Sequence, residues 1–182
     1  MGEPDRATAP GTAHRRDPTS RASPASWRVR PARSDEGVRL TQLAIRSKAV
    51  WGYDAEFMAR CRTLLEVTPE YIANYPVFVG EDGRGIGGFC SLRPRGSDIE
   101  LDLMFVEPAR IGEGLGAVLF RRAVAEARTM RYATMLVESD PGAEAFYLRM
   151  GARRIGDVAS NVLRGRFLPL LAIDLQPGHT PV

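Results

Sequence analysis

Three glycines at alternate positions, Gly112, Gly114 and Gly116, stand between an apolar run that ends at Val106 and an amphipathic segment. Glycine lets a ligand approach the main chain because it has no Cβ atom. A helix that begins near Leu115 turns its free N–H groups and the positive end of its dipole toward the same point. The spacing therefore predicts a site for the phosphates of an anionic cofactor.

Two well-known phosphate-binding patterns fit this segment less well. A Walker A loop needs a Gly-Lys-Ser/Thr triplet, which the sequence does not contain. The dinucleotide fingerprint fits Gly112, Gly114 and Ala117, and Glu138 ends the next predicted strand, where a ribose-binding acid belongs. However, residues 107–111 separate the preceding strand from the first glycine, and an antiparallel hairpin comes before it. An NAD-dependent Rossmann enzyme is therefore a remote alternative.

A second motif lies downstream, in the segment Asp140-Pro-Gly-Ala-Glu-Ala-Phe-Tyr147-x-x-x-Gly-Ala. With Val106-x-Pro108 and the glycine segment, it makes the chain resemble the GNAT superfamily of acyl-coenzyme A dependent N-acetyltransferases. The resemblance covers about residues 27–175. It implies an α/β fold of the α+β type, in which a mixed, mostly antiparallel central sheet is flanked by helices on both faces.

The function that the resemblance implies is transfer of an acetyl group from acetyl-CoA, a co-substrate, to a primary amine of a small molecule or peptide. The amine attacks the thioester directly, and no metal takes part. A non-catalytic module that binds or senses acyl-CoA is the alternative, because such a module keeps the loop without turnover.

The resemblance also implies a coenzyme site that runs from the end of one strand into the loop. Backbone N–H groups at the strand end hold the pantetheine arm and the thioester oxygen, and those of the loop hold the phosphates. The predicted residues are Met104, Phe105, Val106, Arg110, Ile111, Gly112, Glu113, Gly114, Leu115, Gly116 and Ala117. Two of them depart from the family pattern, since Ile111 stands where Arg or Gln is usual and Glu113 brings a carboxylate. Arg110, Arg121 or Arg122 can supply positive charge.

Tyr147 occupies the position of the tyrosine that protonates the departing sulfur in many members of the superfamily. A phenol and a thiol have similar pKa values, so the proton transfer is well matched. The alternative is that Tyr147 only packs its helix, as Phe146 does. The resemblance favours a catalytic acid.

Two carboxylates are candidates for the base that deprotonates the amine. Strict alternation along residues 99–106 places Glu100, Asp102 and Met104 on one face, and Leu101, Leu103 and Phe105 on the other. The superfamily often takes a glutamate from this strand, so Glu100 is the first choice and Asp102 the second. Polar residues near solvent at a strand end would show the same pattern.

Aromatic residues between the first two predicted helices are candidates for the acceptor pocket. The resemblance points to Trp51, Tyr53 and Phe57, which fit a slot for a small amine and fit a core equally well. His14 and His179 lie in the predicted tails. A histidine base, a Ser-His-Asp triad and a histidine-rich metal site are therefore not expected.

The elements that position these residues follow from hydrophobic periodicity. Helices are predicted from Ser34 to about Ala49, at about residues 54–65 and 68–73, from Leu115 onward, and from Asp140 to Gly151. Strands are predicted at residues 27–30, 77–80, 86–92, 99–106 and 134–137, and at about 153–158 and 168–175. Three antiparallel strands thus precede the glycine segment.

Composition limits the remaining possibilities. The chain has 182 residues and a net charge of +3, which fits one domain over residues 27–176. Residues 1–26 lack large apolar side chains and are expected to form a disordered tail without a secretory signal, and residues 177–182 a second tail. The sequence has neither a basic block that would suggest nucleic-acid binding nor a long apolar run that would suggest a membrane span. Its two isolated cysteines are compatible with a cytoplasmic location. A homodimer is compatible with the sequence.

Overall fold

The structure is a computed structural model that describes residues 26–176. The predicted tails lie outside the described residues, apart from Ser26. The helices are α1 (Gly37–Ala49), α2 (Ala55–Cys61), α3 (Pro69–Asn74), α4 (Leu115–Thr129) and α5 (Glu144–Arg149). The strands are β1 (Arg28–Pro31), β2 (Val77–Asp82), β3 (Gly85–Arg95), β4 (Asp98–Val106), β5 (Thr134–Glu138), β6 (Arg153–Ala159) and β7 (Phe167–Asp174).

These strands form one mixed sheet in the order β1-β2-β3-β4-β5-β7-β6. Each neighbouring pair is antiparallel except β4 and β5, which run parallel. The parallel pairing covers only Ile99 and Glu100 of β4, opposite Met135 and Leu136 of β5. The two strands separate beyond this point, so the remainder of β4 borders an opening in the sheet.

Helices cover both faces of the sheet and create two hydrophobic clusters. One cluster joins α4 and α5 to the sheet, and α4 contributes Leu115, Leu119 and Ala123 at intervals of one helical turn. The other joins α1 and α2 to the opposite face, where Leu40 and Leu43 are fully buried. The predicted fold class, a mostly antiparallel sheet with helices on both faces, is confirmed.

A β-bulge in β4 changes the predicted alternation. Ser91 of β3 pairs with Leu103, but the next residue, Leu92, pairs with Leu101, so Asp102 is an extra residue. Leu101 consequently packs in the α4 cluster, whereas Leu103 packs in the α1 cluster. The prediction that these two leucines share a face is wrong, because strict alternation does not allow for an inserted residue.

Candidate functional site

A cleft of about 1410 Å³ opens where β4 and β5 separate. Its walls come from the glycine segment, the start of α4, α5, the α1–α2 connection and the β6–β7 connection. The predicted site residues that line it are Trp51, Glu100, Asp102, Met104, Phe105, Val106, Arg110, Ile111, Gly112, Gly114, Gly116, Ala117 and Tyr147. Most of the site residues proposed from the sequence thus meet at one surface.

The glycine segment has a backbone that side chains would disturb. Gly112 and Gly114 have φ angles of +89° and +84°, in the left-handed region that favours glycine. A Cβ atom at either position would meet no heavy atom within 4 Å, so the space beside the main chain is open. Gly114 is the N-cap of α4, whose first-turn N–H groups face this space. The segment fits the phosphates of a coenzyme.

Leu115 anchors this segment to the sheet instead of facing the ligand. Its side chain is 1% exposed and lies over Gly80, Gly87 and Gly88 of β2 and β3. A Cβ atom built on Gly80 would lie 2.4 Å from the Leu115 Cδ1 atom. These three strand glycines let the start of α4 approach the sheet closely and thereby fix the direction of its N–H groups.

The charged side chains of the segment are already paired with one another. Arg110 Nε donates to Glu113 at 2.9 Å, and Arg110 Nη2 also contacts the Asp82 carboxylate. Arg84 Nη2 donates to the same Glu113 carboxylate at 2.7 Å, and the two arginines hold the pKa of Glu113 below its usual range. Arg110 is 8% exposed and stacks on Trp27 at 4.4 Å.

This network changes the role expected for the local arginines. A phosphate would have to compete with Asp82 and Glu113 for Arg110, so this side chain is not a free source of positive charge. Arg122 pairs instead with Glu126, one turn further along α4. A phosphate bound at this site would therefore depend chiefly on main-chain N–H groups and the helix dipole.

Met104, Phe105 and Val106 form the end of β4 that borders the opening. They are paired with β3 on one side, and within residues 26–176 no strand pairs with them on the other. Every second N–H of this strand end consequently points into the cleft. Such donors can hold a pantetheine amide or a thioester oxygen.

Tyr147 lies on α5 in a largely aromatic environment. Its ring centroid is 5.9 Å from that of Phe120 and 5.1 Å from that of Phe146. The side chain is 7% exposed but contributes to the cleft wall. Burial raises the pKa of the phenol above its ordinary value of 10, so Tyr147 is protonated at neutral pH. It has a proton to donate, but the raised pKa makes the match with a thiol poorer than the sequence predicts.

Glu100 and Asp102 reach a common cluster of arginines on the β4 wall. Arg93 Nη2 lies 2.8 Å from Asp102 and 3.5 Å from Glu100, and Arg95 Nη1 lies 3.1 Å from Glu100. Burial raises the pKa of Glu100, and Arg95 partly opposes that effect. A buried carboxylate with a raised pKa is a suitable base.

Asp102 is more strongly committed to structural contacts than Glu100. Its carboxylate accepts a hydrogen bond from the Tyr71 hydroxyl, which lies 2.8 Å from Ser91 Oγ. Ser91 Oγ also accepts from the backbone N–H of Leu103, next to the bulge. Glu100 is therefore the better candidate for moving a proton.

The three predicted aromatic residues have different environments. Trp51 is 47% exposed, lines the cleft and lies against Gly142, where an added Cβ atom would be 2.2 Å from its ring. Tyr53 and Phe57 pack together behind this wall, with ring centroids 4.3 Å apart. Only Trp51 is directly available to a ligand.

Tyr53 belongs to a charged cluster at the end of β5. Its hydroxyl donates to the Asp140 carboxylate at 2.8 Å, and Lys48 Nζ donates to the same carboxylate at 2.9 Å. Arg166, from the β6–β7 connection, donates to the Tyr53 hydroxyl and lies 3.8 Å from Asp140. We call Lys48, Tyr53, Asp140 and Arg166 the β5-end cluster.

Comparison with known proteins agrees with this architecture. Residues 73–151 match the family model of the acetyltransferase (GNAT) domain. The chain contains a GNAT domain. The family resemblance seen in the sequence is confirmed, and the match includes β2 to α5, which carry the glycine segment and Tyr147.

Solved structures share the fold of the GNAT domain at low sequence identity. A GCN5-related N-acetyltransferase from Rhodopseudomonas palustris is 15% identical, with a TM-score of 0.68 over 84% of this chain and 96% of that one. The PaiA N-acetyltransferase of Thermoplasma acidophilum, solved with coenzyme A, is 13% identical, with a TM-score of 0.66 over 82% and 99%.

A third structure is a GNAT family acetyltransferase from Brucella melitensis in complex with acetyl-CoA. It is 18% identical, with a TM-score of 0.59 over 84% of this chain and 90% of that one. The comparison with curated proteins found no match. The Rossmann alternative does not fit the mixed sheet of this GNAT domain, in which Glu138 pairs with Arg95 at 2.7 Å.

Sequence reasoning missed Lys48, Asp140 and Arg166. Asp140 precedes a proline and has the sequence context of a helix cap, but its carboxylate makes no capping hydrogen bond. It binds Tyr53 and Lys48 instead. One signal was available, since Lys48 is the only lysine in the chain.

Within residues 26–176, no group of three His, Cys, Asp or Glu side chains is arranged to hold a metal ion. The helices in that part of the chain are all too short or too polar to span a membrane.

Proposed function

We propose that this protein is an N-acetyltransferase that moves an acetyl group from acetyl-CoA to a primary amine. One observation carries the proposal: the glycine segment, the unpaired edge of β4 and Tyr147 line the same cleft. This shared lining supports a site in which phosphate donors, thioester donors and an acid all serve one molecule of acetyl-CoA.

The residues present suit the diphosphate and the pantetheine arm of the coenzyme. Main-chain N–H groups from Gly112 to Ala117 would bind the diphosphate at the positive end of the α4 dipole. The edge of β4 from Met104 to Val106 would bind the pantetheine arm. Acetyl-CoA supplies an activated thioester there, and the chain supplies positioning and proton transfer.

The chemistry assigned to the chain is a pair of proton transfers around one displacement. Glu100, directly or through water, takes a proton from the substrate ammonium, which frees the nitrogen lone pair to attack the thioester carbon. β4 N–H groups stabilise the negative charge that develops on the thioester oxygen. As the carbon–sulfur bond breaks, the Tyr147 hydroxyl protonates the sulfur, and the proton that the nitrogen loses restores the phenol through solvent.

The experiment that tests this proposal measures thiol release from acetyl-CoA with a panel of primary amines, together with thermal shifts by coenzyme A and by NAD. The expected result is amine-dependent thiol release, an N-acetylated product by mass spectrometry, and stabilisation by coenzyme A but not by NAD. Coenzyme binding with no turnover on any amine would instead indicate an acyl-CoA binding module. Stabilisation by NAD alone would reject both.

A further inference from the structure

The acceptor end of the cleft has opposite charge imbalances on its two walls. On the β4 wall, three carboxylates share two guanidinium groups. The members of this wall are Arg93, Arg95, Glu100, Asp102 and Glu138, joined by contacts of 2.7 to 3.5 Å. One negative charge is in excess there, beside the candidate base.

The β5-end cluster has the reverse imbalance. Lys48 and Arg166 share a single carboxylate, that of Asp140, and one positive charge is in excess. The three side chains are only 19%, 17% and 12% exposed, so solvent screens the excess weakly. Lys48 and Asp140 line the cleft, as do residues 160–162, whereas the Arg166 side chain lies behind this lining, over the rings of Tyr53 and Phe57.

The cations of this cluster keep unused hydrogen-bonding capacity. Among the described residues, the Arg166 guanidinium donates only through Nη2, to the Tyr53 hydroxyl, and Lys48 Nζ donates only to Asp140. Arg166 also lies over the rings of Tyr53 and Phe57, at 4.8 and 4.9 Å, which leaves the planar edge of the guanidinium for another acceptor. A partly buried cation with spare donors is well suited to an anion.

We propose that the acceptor is an amine that also bears a carboxylate, as in an amino acid. This inference rests on the proposed function and names the substrate class of the same site. The ammonium group faces the β4 wall, where Glu100 receives its proton, and the carboxylate binds Lys48, with the positive charge of Arg166 strengthening the attraction from behind it. The two walls together complement a zwitterion.

The same charges disfavour a diamine or polyamine acceptor. Its second ammonium group would enter the β5-end cluster, where one positive charge is already in excess. Like charges at close range in a weakly screened site repel each other. A simple monoamine would leave the cluster without an anion.

The test compares three acceptors that share one side chain: phenylalanine, phenylalaninamide and phenethylamine, with leucine, leucinamide and isopentylamine as a second set. The expected kcat/KM is at least ~10-fold higher for each amino acid than for its two partners, the scale of a charge-assisted hydrogen bond. The amino group of the amide is less basic than that of the amino acid, whereas the amino group of the decarboxylated compound is more basic. Amine basicity therefore does not explain a preference for the amino acid over both the amide and the decarboxylated amine. Putrescine tests the expectation that a diamine is disfavoured.

Two variants locate the preference in the β5-end cluster. In Lys48→Met and in Arg166→Gln, KM for the amino acid is expected to rise about tenfold, and the preference in kcat/KM for the amino acid over the decarboxylated amine is expected to fall by the same factor. Arg164→Gln removes an exposed cation from the same connection and serves as the matched control. Thermal melts confirm that each variant is folded.

The outcomes separate this inference from the proposed function. Equal use of acids and amines by the wild type, faster turnover of putrescine, or a parallel loss with both acceptors in the variants would overturn the inference and leave the acetyltransferase intact. Coenzyme binding without turnover on any acceptor would overturn the proposed function, and the inference with it.

Discussion

The two ends of the cleft present different chemical groups, main-chain N–H groups at one end and charged side chains at the other. At the coenzyme end, the ligand-facing groups are main-chain N–H groups of residues 112–117 and of the β4 edge, and the nearby charges of Arg110 and Glu113 neutralise each other. At the proposed acceptor end, the cleft is lined by charged side chains from α1, β3, β4 and β5, and Arg166 of the β6–β7 connection lies behind them. Binding at the first end depends on backbone shape, and at the second on side-chain charge.

This difference predicts different consequences of substitution. A backbone site tolerates changes of side chain but not of φ angle, whereas a side-chain site responds to the loss of a single charge. Four variants test where the boundary between the two ends lies.

Tyr147→Phe is expected to have the largest effect, because Tyr147 stands where the two ends meet. Loss of a general acid lowers kcat by ~10²-fold, while the affinity for coenzyme A stays unchanged. Single-turnover rates and calorimetric titration of coenzyme A give the two quantities. Tyr75→Phe, in the same cleft wall, is the matched control. An unchanged kcat would remove Tyr147 from the mechanism.

Glu100→Gln tests the acceptor end through its pH dependence. Because burial raises the pKa of Glu100 above 4.5, the wild-type kcat/KM should fall as the pH drops through that raised value, where the base becomes protonated. The variant should lose this fall in kcat/KM at low pH, and its kcat/KM should be roughly 20-fold lower than that of the wild type. This loss is smaller than that expected for removal of a typical general base, because some of the amine is already neutral at high pH. Glu66→Gln, at an exposed residue of the same cleft, should keep both the low-pH fall and the wild-type kcat/KM. A low-pH fall that persists in Glu100→Gln would assign the base elsewhere.

Gly114→Val tests the coenzyme end through its backbone. The φ angle of +84° costs a β-branched residue about 1–2 kcal/mol, so the segment shifts and coenzyme A binds about tenfold more weakly. Gly156→Val, at a strand position with open space and an ordinary φ angle, should bind coenzyme A normally. Equal affinity in both variants would mean that the phosphates bind away from this segment.

Glu113→Gln should have the smallest effect, and in the favourable direction. The substitution frees Arg84 and Arg110 from a shared carboxylate, which strengthens coenzyme binding by about threefold, as expected for an exposed ion pair. Titrations at two salt concentrations should show a larger salt dependence in the variant. Weaker binding would indicate that Glu113 positions the segment.

The difference between the two ends of the cleft also explains which parts of the site could be predicted from the sequence. The glycine segment and the start of α4 lie within a few consecutive residues, so their local spacing is visible in the chain. The contact between Arg110 and Asp82 was not predictable, because Asp82 reaches this arginine only after β2, β3 and the glycine segment fold together. The mixed, mostly antiparallel sheet agreed with the resemblance. The bulge at Asp102 did not follow from alternation.

The acceptor end was harder to foresee. Lys48, Asp140 and Arg166 come from three separated parts of the chain, and each has an ordinary local explanation as a surface cation or a helix cap. Their meeting depends on how the β6–β7 connection folds over α1 and α2. Tertiary contacts of this kind leave no periodic signal.

The most direct test of the central claim is a crystal structure of the protein with acetyl-CoA. We expect the diphosphate to contact the main-chain N–H groups of residues 112–117. We expect the thioester to lie beside the Tyr147 hydroxyl, between the walls formed by Glu100 and by the β5-end cluster. A diphosphate bound away from that segment, or a thioester out of reach of Tyr147, would contradict it.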